Sequence, residues 1–128
     1  MLINFSNHPY EIWIEKQREA AKQYGEVLDF PFPQVPPNLD TQELRQLVQE
    51  YSAKIKAMKP EAVLVAGEFT FLFMLVDKLL QDGVKVICTC SRRQTIERKL
   101  PDGSNEKTSI FTFERFREYD YFTKRGEA

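Results

Sequence analysis

Short apolar runs alternate along this chain with segments in which apolar residues recur every three or four positions. The runs at residues 2–5, 26–32, 62–66 and 84–89 predict strands, and the helical periodicity lies between them. Such alternation is typical of a parallel sheet with helices on both faces. The pattern therefore predicts an α/β fold, a Rossmann-like sheet of four parallel strands.

Each predicted helix has its own start and stop signals. The first follows Pro9 and ends at Gly25, and the second opens with the capping-box pair Asp40 and Glu43 and ends at Pro60. One stripe of the second helix is expected to be buried: Leu44, Leu47, Val48, Tyr51 and Ile55.

The third helix, residues 69–81, is apolar almost all round and ends before Gly83. A helix of this kind must be covered on more than one side, by the sheet and by a neighbouring element or a second subunit. The helix offers more apolar surface than one sheet face needs, which is one of the two grounds for expecting a homodimer.

The C-terminal part of the chain changes character. Residues 94–100 and 108–116 are rich in Ile, Thr and Phe, and they flank the turn-forming cluster PDGSNE, which predicts an antiparallel β-hairpin. The proline-rich segment PFPQVPP is expected to be a stiff loop. The prediction is one domain over residues 1–119 and a frayed tail over residues 120–128.

Composition and net charge limit the classes of partner that the chain is expected to bind. The chain has 128 residues, 42% of them hydrophobic, and a formal net charge of −1, so it has no bulk positive field for a long nucleic acid. No signal peptide or membrane-spanning run is apparent, which predicts a cytoplasmic protein without membrane contact. Cys88 and Cys90, two apart on a strand, are expected to be free thiols, and no metal or cofactor is expected.

The candidate chemistry lies at strand ends. In an open α/β sheet, ligands bind outside the carboxyl ends of the strands, where the strand order reverses. Two turns are predicted to meet there, Ser6-Asn7-His8-Pro9 and Gly67-Glu68-Phe69-Thr70. Both open helices, and free amides at a helix N-terminus suit a bound phosphate.

Each residue of these turns has two interpretations. Glu68 either complements the helix dipole or faces a ligand that offers hydrogen-bond donors, such as a ribose hydroxyl. Gly67 either permits close approach of a ligand or makes a tight turn. His8, the only histidine, is either a proton carrier or a surface residue. Ser6 and Asn7 either cap the helix or, with Thr70, orient a ligand.

The fourth strand is expected to end at Ser91-Arg92-Arg93, which would bring hydroxyl and guanidinium groups to the same edge. Arginine binds phosphate oxygens through two parallel hydrogen bonds, although a solvated basic turn would look the same in sequence. The chain lacks the dinucleotide-binding glycine motif, the phosphate-binding loop and a recognisable catalytic triad. Redox-dinucleotide and kinase-type chemistry are therefore disfavoured.

Three stretches, LINFSNHP, VLVAGEFTFLFMLVDKLL and CTCSRR, carry a family resemblance. Together they resemble the small standalone CRISPR-associated proteins built on the CARF version of the Rossmann fold, some of which are ring nucleases. The likeness spans most of the first 95 residues. Where that family has two glycines and a threonine in the second turn, this chain has Gly67-Glu68-Phe69-Thr70.

The resemblance implies a homodimer that binds a cyclic oligoadenylate messenger of antiviral defence and cleaves it without metal. A ribose 2′-hydroxyl would attack the adjacent phosphate. Arg92 and Arg93 would neutralise charge, Ser6, Asn7, Gly67, Thr70 and Ser91 would contact the ligand, and His8 or Glu68 would transfer protons. A binder that does not cut, a glutamate-dependent nucleotide enzyme and a structural interaction module are the alternatives.

Overall fold

A computed structural model of the chain describes residues 1–123 and contains one five-stranded sheet. The strands are β1 (Leu2–Phe5), β2 (Val27–Asp29), β3 (Ala62–Val65), β4 (Val86–Lys99) and β5 (Asn105–Glu118), in the order β2-β1-β3-β4-β5. Strands β1 to β4 are parallel, and β5 pairs antiparallel with β4. The predicted α/β fold with a C-terminal hairpin is confirmed.

Helices cover both faces of the sheet. Helices α2 (Thr41–Ala57) and α3 (Phe69–Gln81) pack on the face that presents Ile3 and Val63, and α1 (Glu15–Ala21) lies on the face that presents Leu2 and Leu64. All four residues of β1 and of β3 are buried, because each strand is covered on both sides.

The predicted first helix is interrupted. Its apolar periodicity is divided among a 3-10 turn at Tyr10–Ile12, α1, and a second 3-10 turn at Lys22–Tyr24. Trp13 and Ile14, between the first turn and α1, have extended backbone. This break places the Trp13 indole against the sheet, where its Nε1 donates to the His8 carbonyl oxygen at 2.9 Å.

The second and third helices follow the prediction closely. Asp40 Oδ1 accepts from the Glu43 amide at 2.8 Å, and Glu43 Oε1 accepts from the Asp40 amide at 3.2 Å, which completes the capping box. Of the predicted stripe, Leu44, Val48 and Ile55 are buried, and Leu47 and Tyr51 are half-buried. Helix α3 spans the predicted residues 69–81.

The fourth strand differs from the prediction in length. Instead of ending near residue 89, β4 continues to Lys99, a strand of 14 residues in all, and is itself the first arm of the hairpin. The hairpin pairing runs from Ile87 opposite Glu118 to Lys99 opposite Asn105, with a bulge that adds Glu114 to β5 opposite the Cys90–Ser91 step. Consequently Ser91, Arg92 and Arg93 lie within a strand, and the expectation that they form a strand-end turn was wrong.

Four further predictions concern the proline-rich segment, the two cysteines, membrane-spanning helices and the C-terminal tail. The proline-rich segment is a loop without regular structure, as predicted. Cys88 and Cys90 are free and half-buried, and burial raises the pKa of the Cys88 thiol. Within residues 1–123, no helix has the length and apolarity needed to cross a membrane. Most of the predicted tail, residues 124–128, lies outside the described residues.

Candidate functional site

The strand order places the two predicted turns side by side. Strand β1 lies between β2 and β3, so the chain reverses direction across the sheet at the β1–β3 pair. Phe5 is paired with Val65 at the carboxyl ends of these strands, and the Ala66 amide donates to the Phe5 carbonyl oxygen at 3.2 Å. The turn after β1 leads to one face and the turn after β3 to the other, which is the usual position of a ligand crevice.

A cleft of about 630 Å³ opens beside this reversal, on the face that carries α1. We call it the strand-end cleft. The following residues line it: Ser6, His8, Ile12, Trp13, Ile14, Gln17, Leu64, Ala66, Thr89, Ser91, Ile110, Phe111, Thr112 and Phe113. Its walls are mainly apolar and aromatic with a few polar groups, and its volume falls in the range of small-molecule sites.

Three of the predicted site residues meet in this cleft. Ser6 and His8 reach it from the turn after β1, and Ser91 reaches it from β4. The His8 side chain is exposed to the cleft, whereas Ser6 is buried. The cleft therefore brings His8 and Ser91 beside an aromatic surface, together with Thr89 and Thr112.

A buried polar network holds the His8 turn in place. Asn4, which is only 1% exposed, donates from Nδ2 to the His8 carbonyl oxygen at 2.9 Å and to Asp29 Oδ1 at 2.8 Å. The Ser6 hydroxyl donates to Asn4 Oδ1 at 2.6 Å and accepts from the His8 amide at 3.2 Å. Ser6 thus has a structural role whatever the cleft binds.

Asp29 completes that network from β2. Its two carboxylate oxygens accept from the Tyr10 amide at 3.1 and 3.3 Å, which fixes the start of the segment leading into α1. The sequence interpretation missed Asn4, Asp29 and the cleft role of Trp13. The available signal was Asn4 itself, because a polar residue inside a fully buried strand must have hydrogen-bond partners.

Glu68 is the N-cap of α3. Its carboxylate oxygens accept from the Thr70 amide at 3.0 Å, the Phe71 amide at 2.7 Å and the Thr70 hydroxyl at 2.6 and 2.8 Å. The Thr70 hydroxyl and these amides lower the pKa of Glu68. The carboxylate therefore occupies the position at the helix N-terminus that a bound phosphate would take.

Gly67 makes room for an aromatic ring. A Cβ placed on Gly67 would lie 2.3–2.5 Å from three atoms of the Phe32 ring, which is far inside van der Waals contact. Gly67 is also absent from the described residues with positive φ, so no left-handed turn requires glycine here. Phe32 is buried against Phe5 and Phe71. The close approach that the sequence suggested is made by the protein's own side chain.

The remaining predicted residues lie outside the strand-end cleft. Arg92 Nε is 3.6 Å from Glu114 Oε2, and Arg92 and Lys16 together hold the pKa of Glu114 below its ordinary value. Arg93 donates to the Ser109 hydroxyl oxygen at 3.1 and 3.3 Å across the hairpin. Asn7 is exposed on the turn before His8. Both arginines are exposed.

Metal ligation finds no support in the part of the chain that is described. Over residues 1–123, no group of three or more His, Cys, Asp or Glu side chains is arranged to hold a metal ion.

Comparison with known proteins supplies a family. Residues 1–117 match the family model described as "Uncharacterized protein MJ1673 family". No curated protein matches the chain, and no solved structure matches it. Because the match covers most of its length, the chain belongs to the MJ1673 family.

Proposed function

We propose that this member of the MJ1673 family is a cytoplasmic homodimer that binds a cyclic oligoadenylate and cleaves it without metal, in antiviral signalling. The observation that carries the proposal is the strand-end cleft, which combines His8 with an aromatic wall at the reversal of strand order. The ligand class comes from the resemblance noted in the sequence. The cleft supports it by its position and its lining.

One wall of the cleft suits a nucleobase. Trp13, Phe111 and Phe113 line it together, and the Phe111 ring, which is 69% exposed, can stack on a base with about 1–3 kcal/mol. Its polar groups include Gln17 and Thr89, an amide and a hydroxyl that can bond to base edges or ribose. A cleft of about 630 Å³ holds part of a cyclic oligonucleotide, which suits a ring shared between two copies.

The reaction needs positioning and two proton transfers. A ribose 2′-oxygen forms a bond to the adjacent phosphorus, the bond from phosphorus to the 5′-oxygen breaks, and the products carry a 2′,3′-cyclic phosphate and a 5′-hydroxyl. The His8 imidazole takes the 2′-hydroxyl proton and then delivers it to the leaving 5′-oxygen. Of the two arginines that follow Ser91, Arg93 lies on the same face of β4 as Ser91 and would balance the phosphate charge, whereas Arg92 contacts Glu114.

The test is to measure binding and cleavage separately with cyclic tetra- and hexa-adenylate. His8→Gln should lower the single-turnover cleavage rate by about 10²-fold or more, the usual scale for a positioned proton carrier, and change the dissociation constant little. Glu68→Gln is the internal contrast, because a residue that serves only as a helix cap should leave cleavage within about twofold. Failure of the wild-type protein to bind either ring would refute the proposal.

A second candidate is a binder that holds the same messenger without cutting it. The engagement of Glu68 in the α3 cap favours this alternative, because it leaves His8 as the single candidate proton carrier lining the strand-end cleft. Saturable binding with no cleavage by the wild-type protein would establish the binder and exclude the nuclease.

A further inference from the structure

Among residues 1–123, two of the exposed apolar surfaces lie on α3 and on the hairpin. On α3, Phe69 is 85% exposed and Phe73 is 75% exposed, and the two rings are one helical turn apart. We call them the α3 patch. On the hairpin, Ile96 is 48% exposed, and Ile110 is exposed beside it on the neighbouring strand. Contiguous exposed apolar surface of this kind marks interaction sites.

The hairpin carries its exposed residues on an arm that extends past the sheet. Beyond the bulge at Cys90–Ser91, residues 92–99 pair with residues 105–112, and every one of these residues is exposed. Eight residues of strand extend about 26 Å. A two-stranded ribbon alone is only marginally stable in water, so an arm of this length gains from being covered.

Both surfaces lie toward the same edge of the sheet. The arm continues β4 beyond the carboxyl ends of the parallel strands, and Phe69 is the first residue of α3, directly after the carboxyl end of β3. Strand alternation also places Ile96 on the side of β4 that carries Val86, which packs in the core against α3. A partner beyond this edge can therefore meet the arm and the α3 patch at once.

Charge favours a second copy of the chain as that partner. Residues 92–112 contain five basic and three acidic residues, a net charge of +2, while the whole chain carries −1 and the remainder therefore −3. A basic arm and a more acidic body attract each other between copies. A two-fold axis would repeat the contact, so that each arm packs on the other copy's α3 patch.

We propose that the chain dimerises by exchanging hairpin arms, with Ile96 and its neighbours on one copy packed against Phe69 and Phe73 of the other. The arm exchange assigns an interface to the homodimer of the proposed function, and it depends on that proposed function only for the homodimer itself. Exchange would also bring the carboxyl edges of the two sheets, and so the two strand-end clefts, toward each other.

The first experiment measures molecular mass in solution for the full chain and three variants. Wild-type protein at tens of micromolar should have twice its mass of 15.0 kDa. Phe73→Asp and Ile96→Asp should each raise the dimer dissociation constant at least tenfold, because each places a charge in an apolar contact. Phe122→Asp is the matched control, since Phe122 is fully exposed outside both surfaces, and it should dimerise as the wild type does.

The second experiment tests which surfaces meet. A Phe73→Cys chain mixed with an Ile96→Cys chain should form a disulfide-linked pair on mild oxidation, and wild-type protein, with its half-buried Cys88 and Cys90, should not. Thermal unfolding verifies that each variant is folded.

The outcomes separate the two proposals. A dimer that responds to Phe73→Asp but not to Ile96→Asp, or that gives no mixed disulfide, would overturn arm exchange and leave the homodimer standing. A wild-type protein that is monomeric at all concentrations would overturn both the arm exchange and the homodimer. Ligand binding by that monomer would still support the assignment of the cleft.

Discussion

At the scale of single residues, the two positions that interrupt the apolar run at 62–80 have local structural roles. Gly67 is glycine because the Phe32 ring lies where its Cβ would be, and Glu68 is a carboxylate because three donors of the first turn of α3 converge on it. His8 is different, since its backbone carries the hydrogen bonds and its side chain is exposed to the strand-end cleft. A side chain left free by its surroundings is available for a ligand.

Gly67→Ala should destabilise the protein by about 1–3 kcal/mol, because the added methyl group overlaps a buried ring that cannot move freely. Urea unfolding measures the change. Adding Phe32→Leu should recover part of the loss, so that the double variant is more stable than the two single changes predict. Strict additivity of the two changes would show that the overlap is not the cause.

Glu68→Ala should lower the free energy of unfolding by about 0.5–2 kcal/mol at neutral pH, the usual loss for an N-cap. The pKa of Glu68 is lowered in the folded state, so its stabilisation is complete above the pKa of an unfolded glutamate. That stabilisation disappears as pH falls through the lowered pKa. Urea unfolding at several pH values should therefore show the gap between wild type and variant closing in acid, and a gap independent of pH would contradict the assignment.

At the scale of elements, the starts and stops of α2 and α3 were predictable from nearby residues, whereas the end of β4 was not. The capping box of α2 involves residues three apart, and α3 carries its own N-cap and stop. The boundary between the fourth strand and the hairpin was misplaced because the polar run Ser91-Arg92-Arg93 looks like a turn in sequence, whereas pairing with β5 continues from Ile87 to Lys99 and carries the strand through it.

Asp40→Ala should cost about 1 kcal/mol, because the Glu43 amide loses its acceptor at the start of α2. The matched control is Glu50→Ala in the same helix, which removes only an exposed pair with Lys54 and should cost less than about 0.5 kcal/mol. Chemical denaturation of both variants makes the comparison. Equal losses would mean that the capping box adds nothing beyond a surface charge.

At the scale of the whole molecule, the strand-end cleft is a junction of parts distant in sequence. The turn after β1, the segment before α1 and both hairpin strands contribute to it, and Trp13 stands at their meeting point, in ring contact with Tyr10 and Phe116. Because the chain has a single tryptophan, its fluorescence reports on this junction alone.

Titration with cyclic tetra-adenylate should change the fluorescence of Trp13 saturably, since a bound base would contact or displace groups around the indole. Ligand at 100 times its dissociation constant should also stabilise the fold by about 2.7 kcal/mol, which raises the melting temperature. Linear adenosine oligonucleotides of equal length are the control. A shift in melting temperature without any response of Trp13 would place the ligand outside the strand-end cleft.

Periodicity, caps and right-handed crossovers are local or general rules, so the parallel α/β class, the bounds of α3, the capping box of α2 and the nearness of the His8 and Glu68 turns were predictable from the residues alone. The role of those turns was not, because it depends on long-range contacts. The Asn4–Asp29 pair, the Phe32 ring against Gly67 and the hairpin wall of the cleft each join residues at least 25 positions apart. No local pattern encodes such contacts, because they depend on which strands the sheet brings together.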